Sequence, residues 1–178
     1  MEKQIKRSLI YDGQIISVYK DEVLIEENNT TALREVIKHQ GSVAIVALKN
    51  DCILLIKQYR YAIGKYVLEI PAGKLEKEEN HLECASRELE EETGYQGNDF
   101  KEITSMVPSV GYCNEEIKIY ITNNITKVST PLDCDADEFI EVIELNINEA
   151  YQLVKEGKII DAKTIIGIMF AKEEYFNQ

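Results

Sequence analysis

The residues best suited to chemistry lie between Gly73 and Tyr95, in the acidic segment GKLEKEENHLECASRELEEETGY. Glu88 and Glu92 are four positions apart, so on a helix their carboxylates project side by side and repel each other by roughly a few tenths of a kcal/mol. A bound cation would reverse that repulsion. Because hard oxygen ligands suit Mg²⁺ or Mn²⁺, the spacing predicts a divalent metal site at Glu88 and Glu92, with Glu91 as a further ligand or as a partner that orients Arg87.

The elements around this segment would bring it to one ion. The apolar segment YVLEI predicts a strand, and Pro71-Ala72-Gly73 predicts a tight turn. A helix is expected to follow, with Asn80 as its N-cap and Glu83 three residues further on. Gly73 lets the backbone bend where a Cβ would interfere, so the Ala72 carbonyl is expected to point toward the metal.

A plainer interpretation of the same segment is a solvated, glutamate-rich helix face. Arg87 would then make ordinary surface pairs with Glu83 or Glu91, and Gly73 would be an ordinary turn glycine. The order of strand, turn, loop and helix favours the metal site over this interpretation.

Length and composition favour one domain with a sizeable core, because the chain has 178 residues and 44% of them are apolar. The net charge of −12 argues against nucleic acid as a partner, since no basic run is present to neutralise phosphates. Neither a membrane-spanning apolar run nor a basic-apolar leader is present, so a cytoplasmic protein without a membrane partner is expected. The cysteines show no paired metal-ligand spacing and are interpreted as free thiols, at Cys52, Cys84, Cys113 and Cys134.

The apolar pattern divides the chain into two parts. Residues 1–40 predict short antiparallel strands, with turn signals at Asp12-Gly13 and Asn28-Asn29. Residues 41–178 are expected to form the main domain. Its strands are predicted at SVAIVAL, CILLIKQYR, YVLEI, KEITSMV, IKIYITNNI and FIEVIEL, and its last two helices at NEAYQLVKEG, ending at Gly157, and DAKTIIGIMFAKEEYF. A mixed sheet with covering helices implies an α/β/α sandwich, accompanied by a small N-terminal antiparallel sheet.

The acidic segment also matches a family signature: glycine, five residues, glutamate, seven residues, then Arg-Glu-apolar-x-Glu-Glu-x-Gly-apolar. Every specified position is filled, by Gly73, Glu79, Arg87, Glu88, Leu89, Glu91, Glu92, Gly94 and Tyr95. The segment therefore resembles the signature of the Nudix hydrolases, which cleave nucleoside diphosphates linked to another group, and the resemblance implies the same sandwich fold. Three further segments resemble the ADP-ribose pyrophosphatase branch of this family: LREVIKHQGSVAIVAL, IKQYRYAIGKYVLEIPAG and DAKTIIGIMFAK.

Two positions depart from that branch. The loop PSVGYCNEE resembles the branch's S-P-G-F-x-D/N-E loop, but Val110 stands where proline is usual. Glu78 stands where the branch often has glycine, so the loop backbone there must accept a residue with a Cβ. The positions that the signature specifies are unaffected.

The resemblance implies roles for side chains outside the helix. Glu115 matches the glutamate that positions or deprotonates the attacking water, with Glu116 as the neighbouring alternative, although a loop carboxylate is more often plain solvated surface. Arg60 matches a position that contacts substrate phosphate, which suits a guanidinium, and its alternative role is a surface salt bridge. Glu69 matches a family position near the substrate. Its alternative role is that of an exposed strand residue. Arg34 is expected near the nucleoside side of the substrate.

These observations predict a Mg²⁺-dependent Nudix hydrolase that splits ADP-ribose, with water, into AMP and ribose 5-phosphate. Another nucleoside diphosphate sugar is the alternative substrate, because no base-reading residue can be identified. A non-catalytic nucleotide-binding module is the alternative class, although an incomplete glutamate set would have favoured it and the set is complete. The resemblance further implies a homodimer with exchanged N-terminal strands. Arg87 is interpreted as a structural residue, which would tether the loop through a carboxylate rather than contact substrate.

Overall fold

The computed structural model describes residues 1–133 and 139–176, with side chains as far as residue 174. Cys134, interpreted above as a free thiol, lies outside the described residues. The chain divides into two compact units: a first unit built from residues 1–41 and 107–116, and a second unit built from residues 42–106 and the chain from residue 117 onward.

The first unit is a three-stranded antiparallel sheet with a loop attached to it, and the predicted N-terminal sheet is thereby confirmed. Its strands pair in the order β1 (Glu2–Asp12), β2 (Ser17–Ile25) and β3 (Thr30–Lys38). The loop of residues 107–116 is tied to the end of β3 by main-chain bonds, since the Ile37 N–H donates to the Tyr112 carbonyl at 2.7 Å and the Asn114 N–H donates to the Ile37 carbonyl at 3.1 Å.

The second unit contains a seven-stranded mixed sheet. Five strands follow the order β12-β5-β4-β10-β9, while β6 pairs with β5 and β7 pairs with β4. Strand β10 runs parallel to β4, and the other pairs are antiparallel. The strands are β4 (Ser42–Lys49), β5 (Cys52–Arg60), β6 (Lys65–Glu69), β7 (Ala72–Lys74), β9 (Lys101–Met106), β10 (Ile117–Thr122) and β12 (Ile140–Asn146). A separate two-stranded sheet joins β8 (Tyr95–Gly97) to β11 (Ile125–Lys127).

Helices cover both faces of this sheet. Successive side chains of a strand point to opposite faces, and in β4 both sets are fully or almost fully buried. Val43, Ile45 and Ala47 belong to the apolar cluster of helix α1 (His81–Thr93), and the intervening residues belong to the cluster of α2 (Ile147–Lys155) and α3 (Ala162–Phe176). The predicted α/β/α sandwich is confirmed. None of the helices in the described part of the chain combines the length and apolar character needed to cross a bilayer.

The tight turn predicted at Pro71-Ala72-Gly73 is wrong. Ala72–Lys74 is strand β7, which pairs with β4 in the register Ala44↔Ala72 and Val43↔Gly73. Just before it, the Pro71 carbonyl accepts a hydrogen bond from the Ile45 N–H at 2.8 Å. The edge of β4 thus provides hydrogen bonds that a turn would have made within itself, and pairing across the sheet overrides the local signal of the Pro-Ala-Gly sequence.

Candidate active site

Helix α1 is fixed at both ends by its own sequence. The Asn80 side chain accepts hydrogen bonds from the N–H groups of Leu82 and Glu83, both at 3.0 Å, while the Glu83 carboxylate accepts from the Asn80 N–H at 3.2 Å. This is the reciprocal capping box that the sequence predicts. Gly94 ends the helix with a φ of 72°, a left-handed conformation that glycine adopts without strain. The acidic residues are therefore held in a fixed helical register.

Strand β7 and helix α1 meet where the metal site is predicted. The Ala72 N–H donates to Oε2 of Glu92 at 2.8 Å. The Glu88 carboxylate lies directly on Gly73, where an ideal Cβ would come within 1.8 Å of Oε1 of Glu88. Gly73 is therefore needed for close approach rather than for a bend, because its φ is not among the positive values. The structure brings Ala72, Glu88 and Glu92 together.

Arg87 is the centre of an ion-pair network beside these residues. Its Nε and Nη2 donate to the two carboxylate oxygens of Glu79 at 2.8 and 2.9 Å. Its Nη1 donates to Oε1 of Glu88 and to Oε2 of Glu91, each at 2.8 Å. Nη2 also reaches the Lys74 carbonyl at 3.2 Å. Arg87 thus joins the loop to the helix and orients two of the acidic side chains, as expected for a structural arginine.

The loop glutamate Glu79 is strongly tied in place. Hydrogen bonds from Arg87 lower the pKa of Glu79 to about 2, against the smaller opposing effect of burial. The Glu76 N–H also donates to Glu79, at 2.9 Å. The neighbouring Glu78 has a φ of 69°, a left-handed conformation that costs a residue with a Cβ some free energy. A glycine would suit this position better, in line with the departure from the family pattern noted above.

The candidate metal ligands at this site fit a hard divalent cation. They are carboxylate oxygens of Glu88, Glu91 and Glu92 together with the backbone of Ala72, and oxygen ligands are those that Mg²⁺ and Mn²⁺ take in proteins. The close contact between Glu88 and Gly73 places the Glu88 carboxylate beside β7. In the described part of the chain, no three histidine, cysteine or acidic side chains are already grouped as metal ligands. The metal-ligand set stays a prediction.

A second charged group lies at the ends of β5 and β6. Arg60 donates through Nε and Nη2 to both oxygens of Glu69, at 2.6 and 2.8 Å. Hydrogen bonding to Glu69 raises the pKa of the Arg60 guanidinium, and the negative charge of Glu92 adds to this effect. Arg60 therefore lies within electrostatic reach of Glu92, one of the predicted metal ligands. Glu69 is buried, with 3% of its surface exposed, so the alternative of an exposed strand residue is wrong.

Lys163 in helix α3 completes that group, and sequence reasoning missed it. Its Nζ donates to Oε2 of Glu69 at 2.5 Å and lies 3.1 Å from Oδ2 of Asp161. Burial would raise the pKa of Glu69, but the hydrogen bond from Arg60 and the charge of Lys163 outweigh it and hold that pKa below its usual value. A lysine within the apolar segment KTIIGIMF was the available signal, since a buried lysine requires anionic partners.

The candidate general base lies in the first unit. Glu115 is half-buried and Glu116 is exposed. Oε1 of Glu115 lies 3.7 Å from Nδ1 of His39, and the Glu115 N–H donates to Sγ of Cys113 at 3.4 Å. His39 itself accepts a hydrogen bond from the Gly41 N–H at 3.1 Å.

Arg34 also belongs to the first unit, on strand β3. Its guanidinium pairs with the Glu2 carboxylate, with Nε 3.0 Å from Oε2, and its Nη1 donates to the Leu33 carbonyl at 2.9 Å. The side chain is 41% exposed. The expected contact with the nucleoside side of the substrate stays a prediction.

Comparison with known proteins relates this chain to a family and to a solved fold. The NUDIX domain model matches residues 38–166. The chain is 39% identical to the methanol dehydrogenase activator of Bacillus methanolicus and 36% identical to the ADP-ribose pyrophosphatase of Bacillus subtilis (strain 168), in each case over 95% of this chain and 91% of the relative. A solved structure described as an ADP compounds hydrolase has the same fold, with a TM-score of 0.84 at 19% identity over 97% of this chain and 92% of that one. The domain match, the two relatives and the complete signature on helix α1 together show that the chain belongs to the Nudix family.

Proposed function

We propose that the chain is a Mg²⁺-dependent hydrolase that cleaves the pyrophosphate bond of ADP-ribose to give AMP and ribose 5-phosphate. The observation that carries the proposal is the meeting of Glu88 and Glu92 with Ala72 and Gly73 in the second unit. The similarity to an ADP-ribose pyrophosphatase supports this choice of substrate.

In the reaction, a water oxygen forms a bond to one phosphorus while the bond from that phosphorus to the bridging oxygen breaks. A bound Mg²⁺, or Mn²⁺ in its place, would neutralise phosphate oxygens and lower the pKa of a bound water. Glu88, Glu92 and the Ala72 carbonyl are the proposed ligands, and Glu91 is either a further ligand or the residue that orients Arg87.

The remaining roles belong to side chains that contact substrate or water. The pair with Glu69 uses Nε and Nη2 of Arg60, which leaves Nη1 outside that pair for a phosphate oxygen. Glu115 accepts the proton of the attacking water, and general-base assistance of this kind typically contributes roughly 10²–10⁴ in rate. Arg34 contacts the nucleoside side of the substrate.

We also propose a cytoplasmic homodimer. The location is supported by Cys52, Cys84 and Cys113, the cysteines in the described part of the chain, none of which forms a disulfide. The dimer is supported by apolar side chains on the first unit, discussed below.

The proposal is tested by product analysis on a panel of nucleoside diphosphate compounds with Mg²⁺. ADP-ribose should be the best substrate, yielding AMP and ribose 5-phosphate, and hydrolysis in excess EDTA should fall to background. Glu88→Gln and Glu92→Gln are expected to remain folded and to turn over near background, because they weaken charge neutralisation in the transition state.

Each contrary outcome has its own meaning. Undiminished hydrolysis in EDTA would exclude the metal assignment. Faster cleavage of another nucleoside diphosphate sugar would favour the alternative substrate, and binding of the panel without any product would favour a non-catalytic module.

A further inference from the structure

Lys163 is a buried cation that the proposed chemistry does not use directly. Only 9% of its surface is exposed, and its ammonium group lies between the carboxylates of Glu69 and Asp161. Burying an ammonium group is costly unless anionic partners compensate for the lost hydration. Helix α3 is also joined to the end of β6 by a neutral contact, in which the Ile70 N–H donates to the Thr164 hydroxyl at 2.8 Å. Lys163 is therefore a candidate for a role other than attaching helix α3 to β6.

The Glu69 carboxylate links Lys163 to Arg60. Its Oε2 accepts hydrogen bonds from both cations, at 2.5 Å from Lys163 and at 2.8 Å from Arg60, while Oε1 accepts from Arg60 at 2.6 Å. Glu69 is almost fully buried, whereas the Arg60 side chain is 41% exposed. The buried Glu69 carboxylate therefore accepts hydrogen bonds from both cations, and it contacts the more exposed Arg60 guanidinium through two of its nitrogens.

The charges of this group also matter. Arg60 and Lys163 carry two positive charges against the two negative charges of Glu69 and Asp161, so the group is formally neutral. Without Lys163 its formal charge would be −1, and Glu69 would be balanced by Arg60 alone. Arg60 would then be drawn toward Glu69, and the excess negative charge would oppose an approaching phosphate.

We propose that Lys163 is a positioning residue for substrate binding, which acts through Glu69 to fix the Arg60 guanidinium and keep its positive charge available to a substrate phosphate. This inference rests on the proposed function, since it takes a phosphate of the nucleoside diphosphate as the partner of Arg60. Lys163 itself does not contact the substrate.

The test compares substitutions at two neighbouring positions of the same helix. Lys163→Met keeps the length of the side chain and removes the charge, and it should raise the KM for ADP-ribose about tenfold while kcat changes less than about threefold. Lys163→Arg retains the charge and should restore part of the loss. Thr164→Val is the matched control: it removes the hydroxyl that accepts from the Ile70 N–H and donates to Oδ2 of Asp161, but it leaves the four charges of the group in place. This variant is expected to lower the Tm with an unchanged KM.

A double-mutant cycle tests the route through Arg60. In an Arg60→Ala background, Lys163→Met should have almost no further effect on KM, because the group through which it acts is gone. Calorimetric titration with ADP-ribose in EDTA gives a second measurement that does not depend on turnover, and the affinity should weaken about tenfold in Lys163→Met alone.

The outcomes separate the two proposals. A wild-type chain that neither binds nor cleaves ADP-ribose contradicts the proposed function. An active wild type whose folded Lys163→Met variant keeps both KM and affinity overturns the role of Lys163, and an undiminished effect in the Arg60→Ala background overturns its action through Arg60. A Lys163→Arg variant with no recovery, measured by the same titration, also counts against the proposal.

Discussion

Gly73 has no room for a side chain, because the Glu88 carboxylate occupies the place of its Cβ. The two residues are 15 positions apart in the sequence and belong to a strand and a helix of the second unit. A single methyl group at Gly73 would therefore act on the proposed metal site through Glu88. This makes Gly73 the position at which the smallest change tests the geometry.

Gly73→Ala is expected to leave the fold intact and to lower kcat for ADP-ribose by about 100-fold or more, because a displacement of about 1 Å can cost that much. The clash is with the flexible end of the Glu88 side chain, so the Tm should change little. Steady-state kinetics and thermal unfolding give the two values. The control is the combined variant with Glu88→Gln, which should be no slower than Glu88→Gln alone, and losses that multiply would contradict the explanation.

Glu115 and Glu116 make a matched pair for testing the general base. Glu115→Gln should lower kcat by about 10²–10⁴ with little change in metal affinity, since the amide cannot accept the proton of water. Glu116→Gln should have a smaller effect, because this neighbour is exposed. Parallel measurements of kcat and of Mg²⁺ dependence decide the matter, and a larger loss in Glu116→Gln would mean that the loop has been assigned in the wrong register.

At the scale of elements, the Glu79–Arg87 pair joins the loop after β7 to helix α1. Local capping by Asn80 fixes where the helix begins, and this ion pair determines how the preceding loop lies against it. The pair stabilises the charged form of the Glu79 carboxylate, and this lowers the pKa of Glu79 in the folded chain. The contribution of the pair must therefore depend on pH.

The pKa of Glu79 is about 2 in the folded chain, against a usual value of 4.5. Its stabilising effect is fully present above about pH 4.5 and is lost as the pH falls toward about 2. The free-energy difference between wild type and Glu79→Gln, from denaturant unfolding in EDTA, should shrink by about 1–2 kcal/mol between pH 6 and pH 3. Taking the difference between the two proteins removes the contribution of the other titrating carboxylates, which both proteins share. A free-energy difference that does not change with pH would contradict the prediction.

At the scale of the whole molecule, the first unit leaves large apolar side chains exposed. Six of them on its sheet and first hairpin are more than half exposed: Ile5, Leu9, Ile10, Tyr11, Ile15 and Leu33. A three-stranded sheet is close to the minimum that is stable by itself, so covering this apolar surface would stabilise it. A second copy of the chain is the partner that we propose, in line with the exchanged strands expected from the family.

Light scattering on the intact chain at micromolar concentration should therefore give the mass of a dimer. Deleting residues 1–38 should abolish dimerisation and substrate affinity together, because Arg34 is lost with the sheet, while the capped helix α1 is retained. Circular dichroism of the deletion variant provides the control for folding. A fully active monomer would exclude the exchanged dimer.

The sequence by itself determined the features that depend on residues close together in the chain. The capping box of α1 and the register of Glu88 and Glu92 follow from helical periodicity, and the buried strand β4 follows from the apolar run SVAIVAL. The predicted family is confirmed by the NUDIX domain match. Positive φ at Gly157, just after α2, likewise agrees with the predicted helix end.

Only the tertiary structure decided the contacts between distant residues. It replaced the turn at Pro71-Ala72-Gly73 by a strand, since the edge of β4 was available for pairing, and this gave Gly73 its role beneath Glu88. It also joined Glu69 to Lys163 across 94 positions of the chain. Periodicity predicts which face of an element is buried, but the register between elements decides which side chains meet, and that register is set by the packing of the whole sheet.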